Sequence, residues 1–322
     1  MEYTNLSDGA RMPMLGYGVF QIDDATTERC VGDALATGYR MIDTAQAYGN
    51  ERGVGAAIAA GGVGRDEIFL VDKVWITNYG EDRTYDSVRR SLDLLGTDHI
   101  DLMLLHQPYA DYHAAWRGLE RAREEGLVRS IGVSNFDPVR LADLCVFAQE
   151  APVVNQVETH VFWQQRPAHA TMGRLGVQHM AWGPFAEGAN NFFSNPLLTQ
   201  IGRAHGKGVG QVALRYLIDS GVVVIPKSTH VSRMAENIDV FDFDLTEEER
   251  VRIATLDGGK SLIWDHSDPD FITPWLRQGR KSMLWGMRSV GGAWADALAR
   301  TRQPFWPATQ STISPTSPEA SA

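Results

Sequence analysis

Cysteine is nearly missing from this chain. Of 322 residues only Cys30 and Cys145 are cysteines, far apart and outside any C-x-x-C spacing. Neither a disulfide framework nor a zinc ribbon is therefore encoded. Long apolar runs are also lacking, and none approaches the ~20 residues that a membrane helix needs. The opening Met1-Glu2-Tyr3-Thr4-Asn5 has neither the basic nor the apolar region of a signal peptide. Positive charge is the minority sign, with 30 Lys and Arg against 40 Asp and Glu and a net charge of −10. That balance argues against a nucleic-acid backbone as the main partner. A soluble cytoplasmic protein without nucleic-acid or membrane partners is the expectation, and a few clustered cations would mark a local anion site. Familiar nucleotide and metal patterns are absent too. No G-x-G-x-x-G follows the first strand, and no Walker A or H-E-x-x-H sequence occurs, so no metal is expected. Gly53-Val54-Gly55 lacks a third glycine and lies inside a helical pattern, where close packing explains it better.

What the chain does contain is a regular alternation. Short apolar, β-branched runs at 14–20, 41–44, 68–74, 100–106, 128–134, 153–157, 177–181 and 222–226 are separated by segments of helical period. Runs such as Asp101-Leu102-Met103-Leu104-Leu105 are almost continuously apolar, as parallel strands covered on both faces must be. Asp137-Pro138 supplies an N-cap and a proline at the first helical position, and Leu141, Leu144, Cys145 and Ala148 follow at helical spacing. That spacing puts Cys145 on an apolar face as a buried structural thiol. Tyr85, Val88, Leu92 and Leu95 form a similar stripe ended by Gly96. Thr246 and Glu249 fit a capping box ahead of Val251, Ile253 and Leu256. Asp8-Gly9 reads as a hairpin turn at the barrel bottom. Eight strands with intervening helices favour a single-domain α/β fold, the (β/α)8 TIM barrel, over an open sheet. The barrel is expected over residues 1–280. A C-terminal extension follows, with an amphipathic segment at 281–302 built on Met283, Met287, Val290, Trp294 and Leu298, and a Pro-, Ser- and Thr-rich disordered tail at 303–322. The protein is expected to be a monomer. The extension is a candidate for self-association, with a helix lying on its own barrel as the plainer alternative.

Polar residues of unlike type sit where the apolar runs stop: Asp43, Lys73, His106, Ser134 with Asn135, Gln156, Trp182 and Lys227. In a parallel barrel every strand C-terminus opens on one face, so these side chains should converge on one mouth. Tyr48 lies in the loop just past Asp43. Asp43, Tyr48, Lys73 and His106 make chemical sense as a set. A phenol with a pKa of about 10 is a poor acid at neutrality, and a nearby Lys73 ammonium is expected to lower that value. Asp43 would keep Lys73 charged, His106 would aim a substrate carbonyl, and Tyr48 would protonate the oxygen after hydride arrives on carbon. Singly, each has a plainer explanation. A lysine or aspartate at a strand end is most often in an ion pair, a lone histidine is often a satisfied core residue, and a lone tyrosine often only packs.

Here a family resemblance becomes specific. Gly38-Tyr39-Arg40-Met41-Ile42-Asp43-Thr44-Ala45 followed by Tyr48-Gly49-Asn50-Glu51 resembles the aldo-keto reductase signature. So do Asn155-Gln156-Val157-Glu158, Ile131-Gly132-Val133-Ser134-Asn135-Phe136, Ile225-Pro226-Lys227-Ser228 and Glu236-Asn237. The likeness runs over roughly residues 3 to 275 and is greatest to bacterial members similar to 2,5-diketo-D-gluconate reductases. It implies a (β/α)8 barrel, NAD(P)H bound without a Rossmann fold, a small-molecule carbonyl substrate, and a tetrad of Asp43, Tyr48, Lys73 and His106. It also implies that Trp182, before Gly183, stacks on the nicotinamide, and that Ser134, Asn135 and Gln156 hold its carboxamide. Lys227, Ser228 and Arg233 fall at the 2′-phosphate, with Glu236 and Asn237 at the adenine. Two cations in an acidic chain suit a phosphate ester, which favours NADPH over NADH; a solvated helix face is the plainer reading of Arg233. Val19, Phe20, Trp75 and His106 are expected to wall the substrate site, with Gln107-Pro108 beside them and Trp264 and Asp268-Pro269-Asp270-Phe271 completing it.

Two departures from the family pattern stand out. Asp72 precedes the lysine where a small hydroxyl residue is usual. Strand alternation turns it toward the helix layer, where either a basic or backbone partner or a disturbed strand is expected. Glu187 stands where leucine is commoner, in the loop expected to close on the cofactor. Two other classes of function remain open at this point. A Schiff-base aldolase would need Lys73 neutral, and a non-catalytic NADPH-binding subunit would not need an acid–base set at all.

Overall fold

A computed structural model of the chain describes residues 1–274 and 276–277. It opens with an antiparallel hairpin, β1 (Tyr3–Asn5) and β2 (Arg11–Pro13). Gly9 turns it at φ 91°, in the left-handed region that glycine tolerates. The hairpin lies across the N-terminal ends of the main strands: Thr4 Oγ1 donates to Gln178, and Ser130 Oγ donates to Asp8. The expected cover over the barrel bottom is thus observed.

Eight parallel strands follow: β3 (Tyr17–Gly18), β4 (Met41–Asp43), β5 (Phe69–Val74), β6 (Ile100–Leu105), β7 (Val128–Ser134), β8 (Val154–Glu158), β9 (Gln178–Trp182) and β10 (Val223–Val224). Each pairs with its sequence neighbour. The seam between first and last is closed by the parallel bridge Leu15↔Val224 and by Gly16 N–H donating to the Val224 carbonyl at 2.9 Å. All eight expected strands are present, though the first and last are much shorter than the apolar runs suggested. Closing a barrel splays the seam, so those runs meet through isolated bonds rather than a continuous ladder.

Helices α1 (Asp24–Thr37), α2 (Glu51–Ala59), α3 (Glu81–Leu95), α4 (Tyr112–Glu124), α5 (Pro138–Phe147), α6 (Arg166–Leu175), α7 (Pro196–His205), α8 (Val209–Asp219), α9 (Val231–Ile238) and α10 (Glu247–Ala254) surround the strands. Their ends follow the sequence signals. Asp137 caps α5 through the N–H groups of Val139 and Arg140, Gly96 ends α3 in the left-handed conformation, and Thr246 and Glu249 form a capping box on α10. Gly53 and Gly55 serve packing: a Cβ at Gly53 would fall on the Asp24 carbonyl oxygen and one at Gly55 on that of Leu95. Tyr85, Val88, Leu92 and Leu95 are all buried, whereas Cys145 is only half-buried and Val251 faces solvent. The expectation of a buried Cys145 is corrected to a half-buried one: α5 is so shallowly seated that Val139, Val146 and Phe147 are exposed beside it. The expected 281–302 segment and the tail beyond it lie outside the described residues. Among the described residues no helix is long and apolar enough to cross a membrane.

Candidate active site

Strand C-termini converge as the parallel topology requires. Lys73, fully buried near the end of β5, sends its Nζ to Asp43 Oδ1 at 2.6 Å and to the Thr44 carbonyl at 2.7 Å. The Tyr48 hydroxyl lies 3.5 Å from the same nitrogen, on a short 3₁₀ turn over Gln46–Tyr48. His106 follows β6 with its ring centroid 5.8 Å from that of Tyr48. Asp43 Oδ2 accepts from Gln156 Nε2 at 2.8 Å, so both carboxylate oxygens are bonded. The four residues singled out from sequence therefore meet.

Their electrostatics differ from the expectation in one respect. Burial would lower the Lys73 pKa, but Asp43 and the Tyr48 oxygen outweigh it, and the ammonium is held above its ordinary range. For Tyr48, burial pushes the pKa up and Lys73 pulls it down, and burial prevails. The expected lowering is thus corrected: enclosing the phenol disfavours phenolate more than the lysine favours it. Burial, then Lys73, then His266 drive the His106 pKa well below the usual histidine range. Its imidazole is neutral and has one proton to offer a carbonyl oxygen.

A cavity of about 400 Å³ opens above this set. Its wall includes Phe20, Gln21, Tyr48, His106, Ser134, Asn135, Gln156, Trp182, Gly183, Glu187 and Lys227, and a late stretch of chain adds Ile263, Trp264 and His266. Ser134 Oγ donates to the Gln156 carbonyl at 2.8 Å. Asn135, at φ 65°, donates to the His106 carbonyl and accepts from Trp182 Nε1 at 2.8 Å. An indole face braced by an amide, beside further amide and hydroxyl groups, can hold a flat heteroaromatic ring that carries a carboxamide. Lys227 is exposed at one end of the cavity. Ser228 follows it in the chain, and Arg233, Glu236 and Asn237 lie on α9; none of the four lines the cavity, Arg233 and Glu236 being exposed and Ser228 and Asn237 buried. Lys227 and Arg233 flank the start of α9, where backbone N–H groups point outward and an anion is favoured.

Two of the residues expected to wall the pocket sit behind it. Val19 is fully buried, and Trp75 packs edge-on against His106 with centroids 5.1 Å apart. Neither forms part of the cavity lining, whereas Phe20 and His106 do. Gln21, Ile263 and His266 were not anticipated. The last two come from a stretch without regular structure, which carries no periodic signal.

Asp72 does point away from the site, as alternation required, but it finds no base. It is fully buried, and neither carboxyl oxygen has a hydrogen bond of good geometry, although the Lys73 backbone N–H and the Ser91 side chain lie near enough to favour its charge slightly. The group beside it is the Glu51 carboxyl from α2. Burial and then the Glu51 charge raise the Asp72 pKa well above the carboxylate range, which favours the neutral acid. Of the partners expected, no base is found; the nearest groups are another acid, Glu51, and the Lys73 backbone. Glu187 occupies a left-handed backbone conformation at φ 50°, next to Ala186 at φ 51°. Burial and the neighbouring Glu158 raise its pKa, and Lys227 lowers it.

The model of the aldo/keto reductase family matches residues 13–257. A methylglyoxal reductase, DkgA, from Escherichia coli strain K12 is 41% identical over 268 residues, covering 82% of this chain and 96% of that protein. The crystal structure of an aldo/keto reductase from Brucella melitensis superposes with a TM-score of 0.77 at 40% identity, covering 80% of this chain and 99% of that one. A Bombyx mori aldo-keto reductase solved in complex with NADP gives a TM-score of 0.78 at 36% identity, over 84% of this chain and 96% of that one.

Proposed function

The chain belongs to the aldo/keto reductase family, and on that premise we propose that it reduces an aldehyde or ketone to the alcohol with NADPH as hydride source and Tyr48 as proton donor. The observation that carries the residue assignment is the placement of the Tyr48 hydroxyl 3.5 Å from a buried, ion-paired Lys73 at the floor of the cavity. A bound NADPH supplies the hydride. Trp182, Ser134, Asn135 and Gln156 would hold its nicotinamide end, with Gly183 giving a close backbone approach. Lys227, Ser228 and Arg233 would hold the 2′-phosphate, and Glu236 and Asn237 the adenine.

The chain's own residues then manage charge and protons. Neutral His106 donates a hydrogen bond to the substrate carbonyl and orients it. As negative charge gathers on that oxygen, the Tyr48 hydroxyl gives up its proton, and Lys73 stabilises the phenolate left behind. Asp43 and the Thr44 carbonyl fix Lys73, and Gln156 fixes Asp43, so little reorganisation is needed when charge develops. Phe20 and the indole of Trp264 supply apolar wall. Solvent returns the proton to Tyr48.

The two rival readings are disfavoured by the same geometry. A Schiff-base lysine must be neutral, and the 2.6 Å contact with Asp43 keeps Lys73 charged. A pure cofactor-binding subunit has no use for a buried acid–base set. We take residues 1–280 as one barrel domain acting as a cytoplasmic monomer; light scattering on the full chain and on a chain ending at residue 279 tests whether the extension adds a subunit contact.

The deciding experiment follows the loss of reduced-nicotinamide absorbance across aldehydes, ketones and diketo sugars, with Tyr48→Phe as control. Turnover should fall by about 10²–10⁴ in the variant, the usual worth of a positioned acid, while NADPH binding persists. Retention of most activity by Tyr48→Phe would end the proton-donor assignment. Substrate adducts trapped by borohydride would revive the aldolase reading.

A further inference from the structure

Along β8, Gln156 and Glu158 stand on the same face of the strand, one pleat apart. Gln156 reaches down to Asp43. Glu158, at the rim and 3% exposed, is occupied differently. Its Oε1 accepts from His160 Nε2 at 3.0 Å, from Leu262 N–H at 2.9 Å and from Ile263 N–H at 3.2 Å. Its Oε2 accepts from Ser261 Oγ at 2.6 Å and Trp264 N–H at 3.2 Å. Four of these donors belong to the consecutive residues Ser261, Leu262, Ile263 and Trp264, a stretch without helix or strand. Three successive backbone N–H groups converging on one carboxylate form an anion-holding concavity. Burial alone would raise the Glu158 pKa, but the bonds from His160, Ser261 and the Leu262 amide hold it below the ordinary range, so the group is charged at neutral pH.

The stretch held in this way carries Ile263, Trp264 and, just past them, His266 into the cavity wall. A further tether is the Tyr109 hydroxyl, which donates to the His266 carbonyl at 2.8 Å. The barrel strands supply the floor, while this irregular stretch supplies the side.

We propose that Glu158 is a positioning residue for substrate selection, its carboxylate latching Ser261–Trp264 to the rim of β8 and so setting the bulk of carbonyl compound that the cavity admits. The proposal rests on the reading of this cavity as the substrate site. It deepens that reading by assigning the selection of substrate size to one carboxylate that touches neither substrate nor tetrad. A glutamine cannot replace it. Its amide nitrogen would turn a donor toward N–H groups that are themselves donors, and it would bear no charge.

The test compares wild type and Glu158→Gln in two measurements. Hydrogen exchange of the Leu262, Ile263 and Trp264 amides reads the latch without any need for turnover; the variant should exchange at least about tenfold faster there. Steady-state kinetics with NADPH then compares propanal with 1-naphthaldehyde. The KM for the bulky aldehyde should change about tenfold and that for propanal less than about twofold, with kcat for both within about threefold. Unchanged exchange overturns the latch. Equal KM changes for both aldehydes, or a fall in kcat at constant KM, overturn the role in selection. If Glu158→Gln does not fold, Ser261→Ala removes one donor and should move both readouts in the same sense by about twofold to threefold; no movement overturns the proposal. Absence of turnover in the wild type would count against the reductase reading alone, because the exchange result still decides the latch.

Discussion

Replacing Asp72 by asparagine should stabilise the protein increasingly as pH rises, with little effect on catalysis. In the folded chain the Asp72 carboxyl is buried beside Glu51, and its oxygens have no hydrogen bond of good geometry. Ser91 of α3, the Lys73 backbone and ammonium, and the Arg90 and Arg52 charges also act on the pair, each lowering a pKa. A carboxyl whose folded pKa is raised binds its proton more tightly than in the unfolded chain. Its contribution to stability is full below the unfolded pKa of about 3.9 and is lost as pH rises toward the folded value. Each pH unit in that window removes about 1.4 kcal/mol per group. Asparagine does not titrate, and its amide can donate to Glu51, which then carries the charge alone. Between pH 5 and pH 6 the variant should therefore gain up to about 1.4 kcal/mol on wild type, or up to about 2 °C in Tm for a chain of this size. Thermal unfolding followed by circular dichroism at the two pH values measures the gap. A gap that stays constant between pH 5 and pH 6, or that narrows, would refute the account of a buried, protonated Asp72. kcat/KM should stay within about twofold, because Asp72 faces the helices rather than the cavity. Threonine at the same position should also keep activity.

Three further outcomes follow from the geometry. Gly55→Ala drives a methyl into the Leu95 carbonyl between α2 and α3 and should cost about 1–3 kcal/mol in urea unfolding, the usual price of overpacking. Lys227→Ala combined with Arg233→Ala should raise the KM for NADPH at least about tenfold and leave that for NADH nearly unchanged, since only the former carries the phosphate these cations are proposed to meet; equal effects on both cofactors would remove them from that role. Asp43→Asn leaves the Lys73 ammonium buried without its counter-charge and should cost about 3–5 kcal/mol of stability. With its main counterweight to burial gone, the lysine pKa falls and activity is lost at lower pH than in wild type; an unchanged pH–rate profile would separate Asp43 from the proposed tetrad.

Much of this architecture was legible in the chain because two local rules carried it. Near-continuous apolar runs mark strands covered on both faces, and in a parallel barrel the residue ending each run must face the common mouth. Asp43, Lys73, His106, Ser134, Gln156 and Trp182 were all found by that reasoning. Caps at Asp137 and Thr246 and the stop at Gly96 were equally local. What escaped depends on distance in space. Nothing near Asp72 in sequence announces Glu51, which α2 brings back against β5. The rise in the Tyr48 pKa is a balance between enclosure and one ammonium, and enclosure has no sequence signature. Cys145 lies on the expected face of α5, but how deeply a helix sits on its barrel is a property of the packed layer. Ile263 and His266 come from a stretch held by hydrogen bonds to Glu158 rather than by its own periodicity.

The resting charges bear on why a tyrosine made less acidic by burial can still serve as the proposed acid. Around Lys73 the structure holds one close ion pair, with Asp43, while His106 and Tyr48 are neutral and Asp72 favours its neutral form. Burial opposes charging these groups, raising the Tyr48 and Asp72 pKa and lowering that of His106. Keeping the phenol protonated ensures that the proton is present when substrate arrives. Its departure is then conditional on a strong base appearing opposite it, which a carbonyl oxygen becomes only after accepting hydride at carbon. The phenolate that results falls 3.5 Å from an ammonium already fixed by Asp43 and Thr44, so its stabilisation needs no movement at that moment. Burial that opposes ionisation at rest thus strengthens the ammonium–phenolate attraction once charge is made, since both effects arise from the same low dielectric.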